Sequence, residues 1–337
     1  MEGRPKSLPE WNPESGDDGL RDSLPDWVAH QANVNPDRIA LIAGDGEYSY
    51  GQLNSEVSAT ARKLASFGVA AGDRVATCLQ NGACSAILPH AILRLGATLV
   101  PLNYRLSASE LRGQLITVDA RMLLVDRHSA SRFAGSQDAT EEPLLNEAEG
   151  MNRLPGANVG LPTVATAMAA ADRDAAVSFG IPALEDATEA DVPLRVRHDS
   201  GHILAIIHTS GTTGVARGAM LSVGNFWWSA IGSALNMGTQ PDDRWLATLP
   251  LFHVGGLSIL TRAAIYGIAA EIHDGFDAAR VNAAIDTGRA SIVSVVAVML
   301  KRMLDERANK PYPPSLRCVL LGGGPAPLPL LERCSRA

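Results

Sequence analysis

The chain has 337 residues, 46% hydrophobic and 19% charged, with a formal net charge of −7. That length exceeds what one compact core usually holds and argues for two or more globular subdomains. The acidic balance and the lack of any basic run argue against a nucleic-acid partner, since such proteins gain affinity from clustered Lys and Arg.

Residues 1–24 are polar and rich in Pro and Asp, without the apolar core of a signal peptide, and read as a flexible tail. A first α/β subdomain is expected over 25–128, with strands at 39–43 and 48–50. A helix follows at 51–67, its apolar face carried by Leu53, Val57, Ala61 and Leu64. Strand 74–79, helix 83–95 and strand 98–102 come next. Ser107 and Glu110 have capping-box spacing, each side chain able to satisfy the other's backbone N–H, and start a further helix before strand 122–126. Residues 129–200 are rich in Ala, Asp, Glu and Pro with weak periodicity. They read as an insert or linker containing a short helix at 164–171, and the subdomain boundary is placed here.

Alternation returns over 201–337, the second subdomain. Strands are expected at 202–208, 244–249, 270–273, 291–296 and 316–321, and helices at 225–235, 256–266, 277–287 and 298–307. Strands alternating with helices make an α/β fold of parallel sheets covered on both faces. The longest apolar stretch, 291–300, is too short to span a bilayer. Cys78, Cys84, Cys318 and Cys334 form no Cys-x-x-Cys pair, so neither a disulfide framework nor a zinc site is expected, and a reducing, cytoplasmic setting fits.

The strongest chemical signal is Thr209-Ser210-Gly211-Thr212-Thr213-Gly214, followed by Val215-Ala216-Arg217-Gly218. Glycines let backbone N–H groups approach an anion, hydroxyls add donors, and Arg217 supplies a cation, a combination that suits a polyphosphate. It is not a Walker A loop, because Gly-x-x-x-x-Gly-Lys-Ser/Thr does not fit. The plain alternative is a polar turn between strands. Two further segments follow strands. Leu249-Pro-Leu-Phe-His253-Val-Gly-Gly256 places a His where it can face a cleft, although a lone His is more often structural. Leu320-Leu-Gly322-Gly323-Gly324-Pro-Ala-Pro327 is either a tight turn or a place of close ligand approach.

The 209–214 segment resembles the signature loop of the adenylate-forming superfamily, and the chain is identified as similar to AMP-forming acyl-CoA synthetases. Tyr48–Leu53 and Leu95–Asn103 resemble two scaffold motifs of the same family, so the likeness runs from about residue 24 to the end, with 129–200 poorly matched. The resemblance implies two mainly parallel sheets covered by helices, the family's large N-terminal domain, with its small C-terminal domain absent. It implies that Thr209–Gly214 grip the β- and γ-phosphates of ATP, with Mg²⁺ bridging them near Thr212. It places His253 beside the reacting carboxylate and Gly322, Gly323 and Gly324 against adenine and the acyl group. The family usually closes its loop with Pro-Lys-Gly, where this chain has Ala216-Arg217-Gly218, a change that keeps charge but alters donor geometry.

Residues 224–235, 249–266, 292–300 and 312–327 resemble the 2-succinylbenzoate–CoA ligases of menaquinone synthesis. That acid is an aromatic dicarboxylate whose second carboxylate needs a partner if buried. Arg262 is the candidate; a solvated helix position is the alternative. Phe226, Trp227 and Trp228 are either ring-pocket walls or core. The implied reaction is attack of a carboxylate on the α-phosphorus of ATP, then thioester formation with CoA as co-substrate. The family's later Tyr-Gly-x-Thr-Glu motif, ribose-binding Asp and C-terminal Lys find no match, so the chain is expected to be truncated and incomplete for catalysis. An acyl-CoA synthetase for another acid and a non-catalytic nucleotide-binding fragment remain open, as does a homo-oligomer. A P-loop enzyme is remote.

Overall fold

The computed structural model describes residues 22–133, 177–180, 184–209, 217–308 and 310–337. In chain order the first elements are β1 (Ser23–Pro25), α1 (Trp27–Val34), β2 (Ile39–Ala43), β3 (Gly46–Ser49), α2 (Tyr50–Ser66) and β4 (Arg74–Cys78). Then come α3 (Ala83–Leu95), β5 (Thr98–Pro101), α4 (Ala108–Thr117), β6 (Met122–Val125), α5 (Arg127–Phe133), β7 (Val177–Gly180) and β8 (Arg197–Asp199). The remainder is β9 (Ile203–Thr209), β10 (Arg217–Ser222), α6 (Val223–Met237), β11 (Arg244–Ala247), α7 (Val254–Tyr266), β12 (Ala269–Ile272), α8 (Ala278–Asp286), β13 (Ile292–Val296), α9 (Ala297–Arg307), β14 (Cys318–Gly322) and α10 (Leu328–Arg336).

Two six-stranded sheets form, ordered β10-β9-β5-β4-β6-β7 and β14-β13-β11-β12-β2-β3. Each is parallel except for one antiparallel edge strand, β10 in the first and β3 in the second. Side chains alternate across each strand. Val75, Leu99, Met122 and Ala205 therefore face a central core, while Ala76, Val100, Leu123 and Ile206 face an outer one. In the second sheet Trp245, Ala270 and Ile292 point to the same central core, and Leu246, Val293 and Val295 point outward beneath α8 and α9. The layers stack αβαβα, and the two mainly parallel sheets covered by helices are those that the sequence pattern and the family resemblance imply.

The central helices show why the layers hold. Helix α2 starts under a Ser49–Gln52 capping box and buries Tyr50, Leu53, Val57, Ala61 and Leu64. Each large apolar side chain so removed from water contributes roughly 1.5–3 kcal/mol before chain entropy is subtracted. Tyr50, expected to end a strand, instead opens this helix because the Ser49 cap ends β3 one residue earlier. Its hydroxyl lies 2.9 Å from the carbonyl oxygens of both Ala263 and Ile268, tying α2 to α7. Helix α3 is buried from Ala86 to Arg94. Its Arg94 reaches Asp26 at 2.8 Å, and His198 meets the same carboxylate at 3.0 Å.

Sheet membership does not follow the boundary drawn through 129–200. Strands β9 and β10 complete the sheet built by 74–125, and β2 and β3 complete the sheet built by 244–322. Parallel pairing needs long crossovers, so neighbours in a sheet can be distant in sequence. The expected helix at 164–171 lies outside the described residues. Among the described residues no helix is long and apolar enough to cross a membrane, and all four cysteines are free.

Candidate active site

Ligands of parallel sheets bind beyond the carboxyl ends of the strands, and the motif residues gather at those ends in both sheets. In the first sheet β9 ends at Thr209, and β10 begins at Arg217 directly opposite it in antiparallel register. The Thr209 Oγ1 hydroxyl donates to the Arg217 carbonyl at 3.3 Å, fixing the base of the hairpin. Ser210, Gly211, Thr212, Thr213 and Gly214 lie outside the described residues, and with them the magnesium site expected at Thr212. Arg217 is exposed. None of the ion pairs among the described residues engages its guanidinium. One residue before Thr209, His208 has both ring nitrogens buried without a hydrogen-bond partner among the described residues. Burial pushes its pKa below the usual histidine value.

In the second sheet β11 runs into the irregular segment 248–253, and α7 begins immediately after it. A Cβ at Gly256 would stand 2.3 Å from the Pro250 carbonyl oxygen, so only glycine lets the helix start under that carbonyl. His253 is the N-cap of α7, its carbonyl accepting from Gly256 and Leu257 at 3.1 and 3.0 Å. Its side chain makes no capping bond and is left for other work. The residue is exposed, while its ring rests 4.4 Å from the Phe252 ring centroid. Partial burial of the imidazole lowers its pKa, and the nearby Arg105 charge lowers it further. Both effects favour the neutral ring, which can accept a hydrogen bond.

The two sheets meet at this point. Tyr104, from the turn after β5, stands edge-on to Phe252 with centroids 5.3 Å apart, and Arg105 lies 5.5 Å over the Tyr104 ring. Beyond β14, Gly323 has φ +79° and a Cβ there would meet Val296 Cγ1 at 2.9 Å, so the left-handed turn requires glycine. At Gly322 and Gly324 a Cβ would meet nothing within 4 Å, leaving open backbone surface on that loop.

Arg262 is half-buried and reaches toward α6. Its Nη2 donates to Ser229 Oγ at 3.0 Å and its guanidinium lies 5.6 Å from the Trp245 ring centroid. Its Nε is buried without a partner among the described residues. Burial lowers its pKa, which the Tyr266 hydroxyl partly offsets. Of the aromatics on α6, Phe226 is core and Trp228 is 69% exposed. Sequence reasoning missed His208, Tyr104, Arg105 and Asn81. The first three directly adjoin motifs that were read, at strand ends; Asn81 had no local signal beyond following β4.

A family model described as AMP-binding enzyme matches residues 28–337. A 2-succinylbenzoate–CoA ligase of Geobacillus kaustophilus is 38% identical over 312 residues, 93% of this chain and 56% of that protein. An o-succinylbenzoate–CoA synthetase of Bacillus subtilis, solved with the acyl-adenylate intermediate, superposes with a TM-score of 0.76 at 32% identity, over 93% of this chain and 56% of that one. The same Bacillus subtilis enzyme solved with ATP and magnesium ion gives 0.76 at 31% identity, over 93% and 57%. The chain thus spans about half the length of the curated relatives it matches.

Proposed function

The chain belongs to the AMP-binding enzyme family, and from that premise we propose that the full-length protein activates 2-succinylbenzoate with ATP and passes the acyl group to CoA. In the first half-reaction a carboxylate oxygen attacks the α-phosphorus of ATP and pyrophosphate leaves. In the second, the CoA thiol attacks the acyl carbon and AMP leaves. Adenylation of this kind depends on positioning and on neutralising charge more than on covalent catalysis.

The roles are those that the family resemblance implies, and the chemistry of each residue fits them. The Thr209–Gly214 loop and Arg217 hold the departing phosphates; an exposed guanidinium with no described carboxylate beside it fits that task. Arg in place of the family's Lys offers a planar fork rather than a point charge. Thr212 is the loop residue that would help hold magnesium, which would supply neutralisation of phosphate charge. The open backbone at Gly322 and Gly324 fits a flat base lying against it. Neutral His253 orients the reacting carboxylate.

The observation that carries the choice of acid is Arg262, a half-buried arginine whose Nε is buried and which has no carboxylate partner among the described residues. Buried charge is normally paired, and the second carboxylate of a dicarboxylic substrate supplies the pair. The names of the relatives agree. The test is acid-dependent ATP–pyrophosphate exchange by the full-length protein, with 2-succinylbenzoate beside benzoate and a medium-chain fatty acid. Exchange with 2-succinylbenzoate alone is expected. Exchange with another acid instead would discard the substrate, and none with any acid would discard the activity.

A further inference from the structure

The two halves of the proposed site stand on different sheets. The phosphate-loop hairpin belongs to β9 and β10 of the first, while His253 and the Gly322–Gly324 loop follow strands of the second. Something must hold the strand ends of one sheet in register with those of the other. One side chain is placed to do so. Asn81 follows β4 in the first sheet and is only 9% exposed. Its Nδ2 donates one hydrogen to Leu249 O at 3.0 Å and the other to His273 O at 3.1 Å, while its Oδ1 accepts from Leu251 N at 2.9 Å. All three partners lie in the second sheet's strand-end segments, and two of them lie in the irregular run that delivers His253.

We infer that Asn81 is a positioning residue that sets the His253 segment against the phosphate-loop hairpin. The inference rests on the adenylation reading for its kinetic consequence but not for its geometry. Residues 249–253 belong to no helix or strand, and Pro250 has no N–H, so few backbone bonds fix the run. His253 N bonds Pro250 O at 3.1 Å within it, which shapes the segment but does not anchor it. The Asn81 amide provides the anchor, and only an amide of this length offers two donors and one acceptor at once. Asp would keep the acceptor but turn an oxygen toward the Leu249 and His273 carbonyls. Ala would orphan the buried Leu251 N–H and His273 carbonyl and the part-buried Leu249 carbonyl. Either change frees the run to shift by an amount that matters, since misplacement on the order of 1 Å can cost about 100-fold in rate.

The test uses the full-length protein with Asn81→Ala and the near-isosteric Asn81→Asp, each checked for thermal unfolding. In pyrophosphate exchange, kcat is expected to fall about 100-fold while KM for ATP hardly moves. In a His253→Ala background the same substitutions are expected to cost little more, because the residue acts through His253. Additive losses, or a kcat per folded molecule equal to wild type, would overturn the inference. Two readouts need no turnover. In Asn81→Ala the Leu251 amide should lose its protection from hydrogen exchange, and the His253 ring should titrate nearer an ordinary histidine by NMR. Unchanged protection and titration would overturn the inference even if wild type exchanges with no acid, a result that by itself would overturn only the adenylation reading.

Discussion

Replacing Arg262 with Met separates a substrate-binding cation from a structural one. The arginine makes one hydrogen bond, to Ser229 Oγ at 3.0 Å, and one cation–ring contact, 5.6 Å from Trp245. Each is worth about 1 kcal/mol. Against them stand the partly desolvated charge and an Nε buried without a described partner, whose penalty is about 1–3 kcal/mol. Met fills similar space without either cost. The two sides nearly cancel, so the melting temperature should stay within a few degrees of wild type, roughly 1 kcal/mol for a chain this size. Binding should not cancel. A charge-assisted hydrogen bond to a carboxylate contributes about 1.5–3 kcal/mol, so kcat/KM for 2-succinylbenzoate should fall roughly ten- to 150-fold. A monocarboxylic acid that is a weak substrate should be unaffected or improved. Pyrophosphate exchange with both acids, run beside thermal unfolding, decides the matter. A large loss of stability with an unchanged KM for the dicarboxylate would refute the reasoning and leave Arg262 as a brace between α6 and α7.

Three other outcomes are expected. His253 has its pKa lowered by partial burial and by the Arg105 charge, so the acid limb of kcat/KM should lie below the ordinary histidine value, and Arg105→Ala should move it upward; a pH–rate profile of both proteins checks this. His90 is buried, and desolvation lowers its pKa from 6.5 to about 4. The unfolded chain therefore binds that proton first, and stability should be lost as pH falls from about 6.5 toward 4, by about 3 kcal/mol in all; urea unfolding at pH 7 and 4.5 measures it, and His90→Leu should flatten the slope. Gly256→Ala would force a Cβ to 2.3 Å from Pro250 O, so about 1–3 kcal/mol of stability should be lost and the His253 segment displaced, with a drop in both melting temperature and exchange rate.

What the sequence disclosed was local. The Ser107–Glu110 capping box sits where three-residue spacing places it, and Leu53, Val57, Ala61 and Leu64 are all buried. Thr209, Arg217, His253 and Gly322–Gly324 were legible because each stands beside a strand end in a recognisable run. What it withheld was long-range. Pairing of Leu99 with Ala205, and of Leu41 with Ala270, joins residues that no local pattern connects, so the crossed membership of the sheets could not be read. Asn81 reaches partners 168 to 192 positions away, and nothing in its neighbourhood marks it. Strand β10 was overlooked because Gly218 weakens its apolar alternation and Arg217 and Gly218 read with the phosphate loop. Helical periodicity placed Arg262 on α7 but could not say that its guanidinium lies over the Trp245 ring.

The distribution of charge binds these observations together. The chain carries 36 acidic residues against 29 Lys and Arg, so carboxylates are abundant and an arginine can readily find one. Many do: Arg94 has Asp26, Arg289 has Glu271, Arg307 has Asp286 and Arg317 has Asp243. Arg105, Arg217 and Arg262 form no ion pair among the described residues. Arg105 and Arg217 stand at strand ends, and Arg262 lies in the helix that follows His253. A net-negative surface repels a polyphosphate and a dicarboxylate alike, and the repulsion falls off over about 10 Å at moderate salt. An acidic protein that handles such anions must therefore hold local cations unneutralised where they bind. Arg105, Arg217 and Arg262 are cations of that kind in the proposed site, whereas Arg38 and Arg197, also without an ion pair among the described residues, spend their guanidinium groups on Gly267 and Ser23.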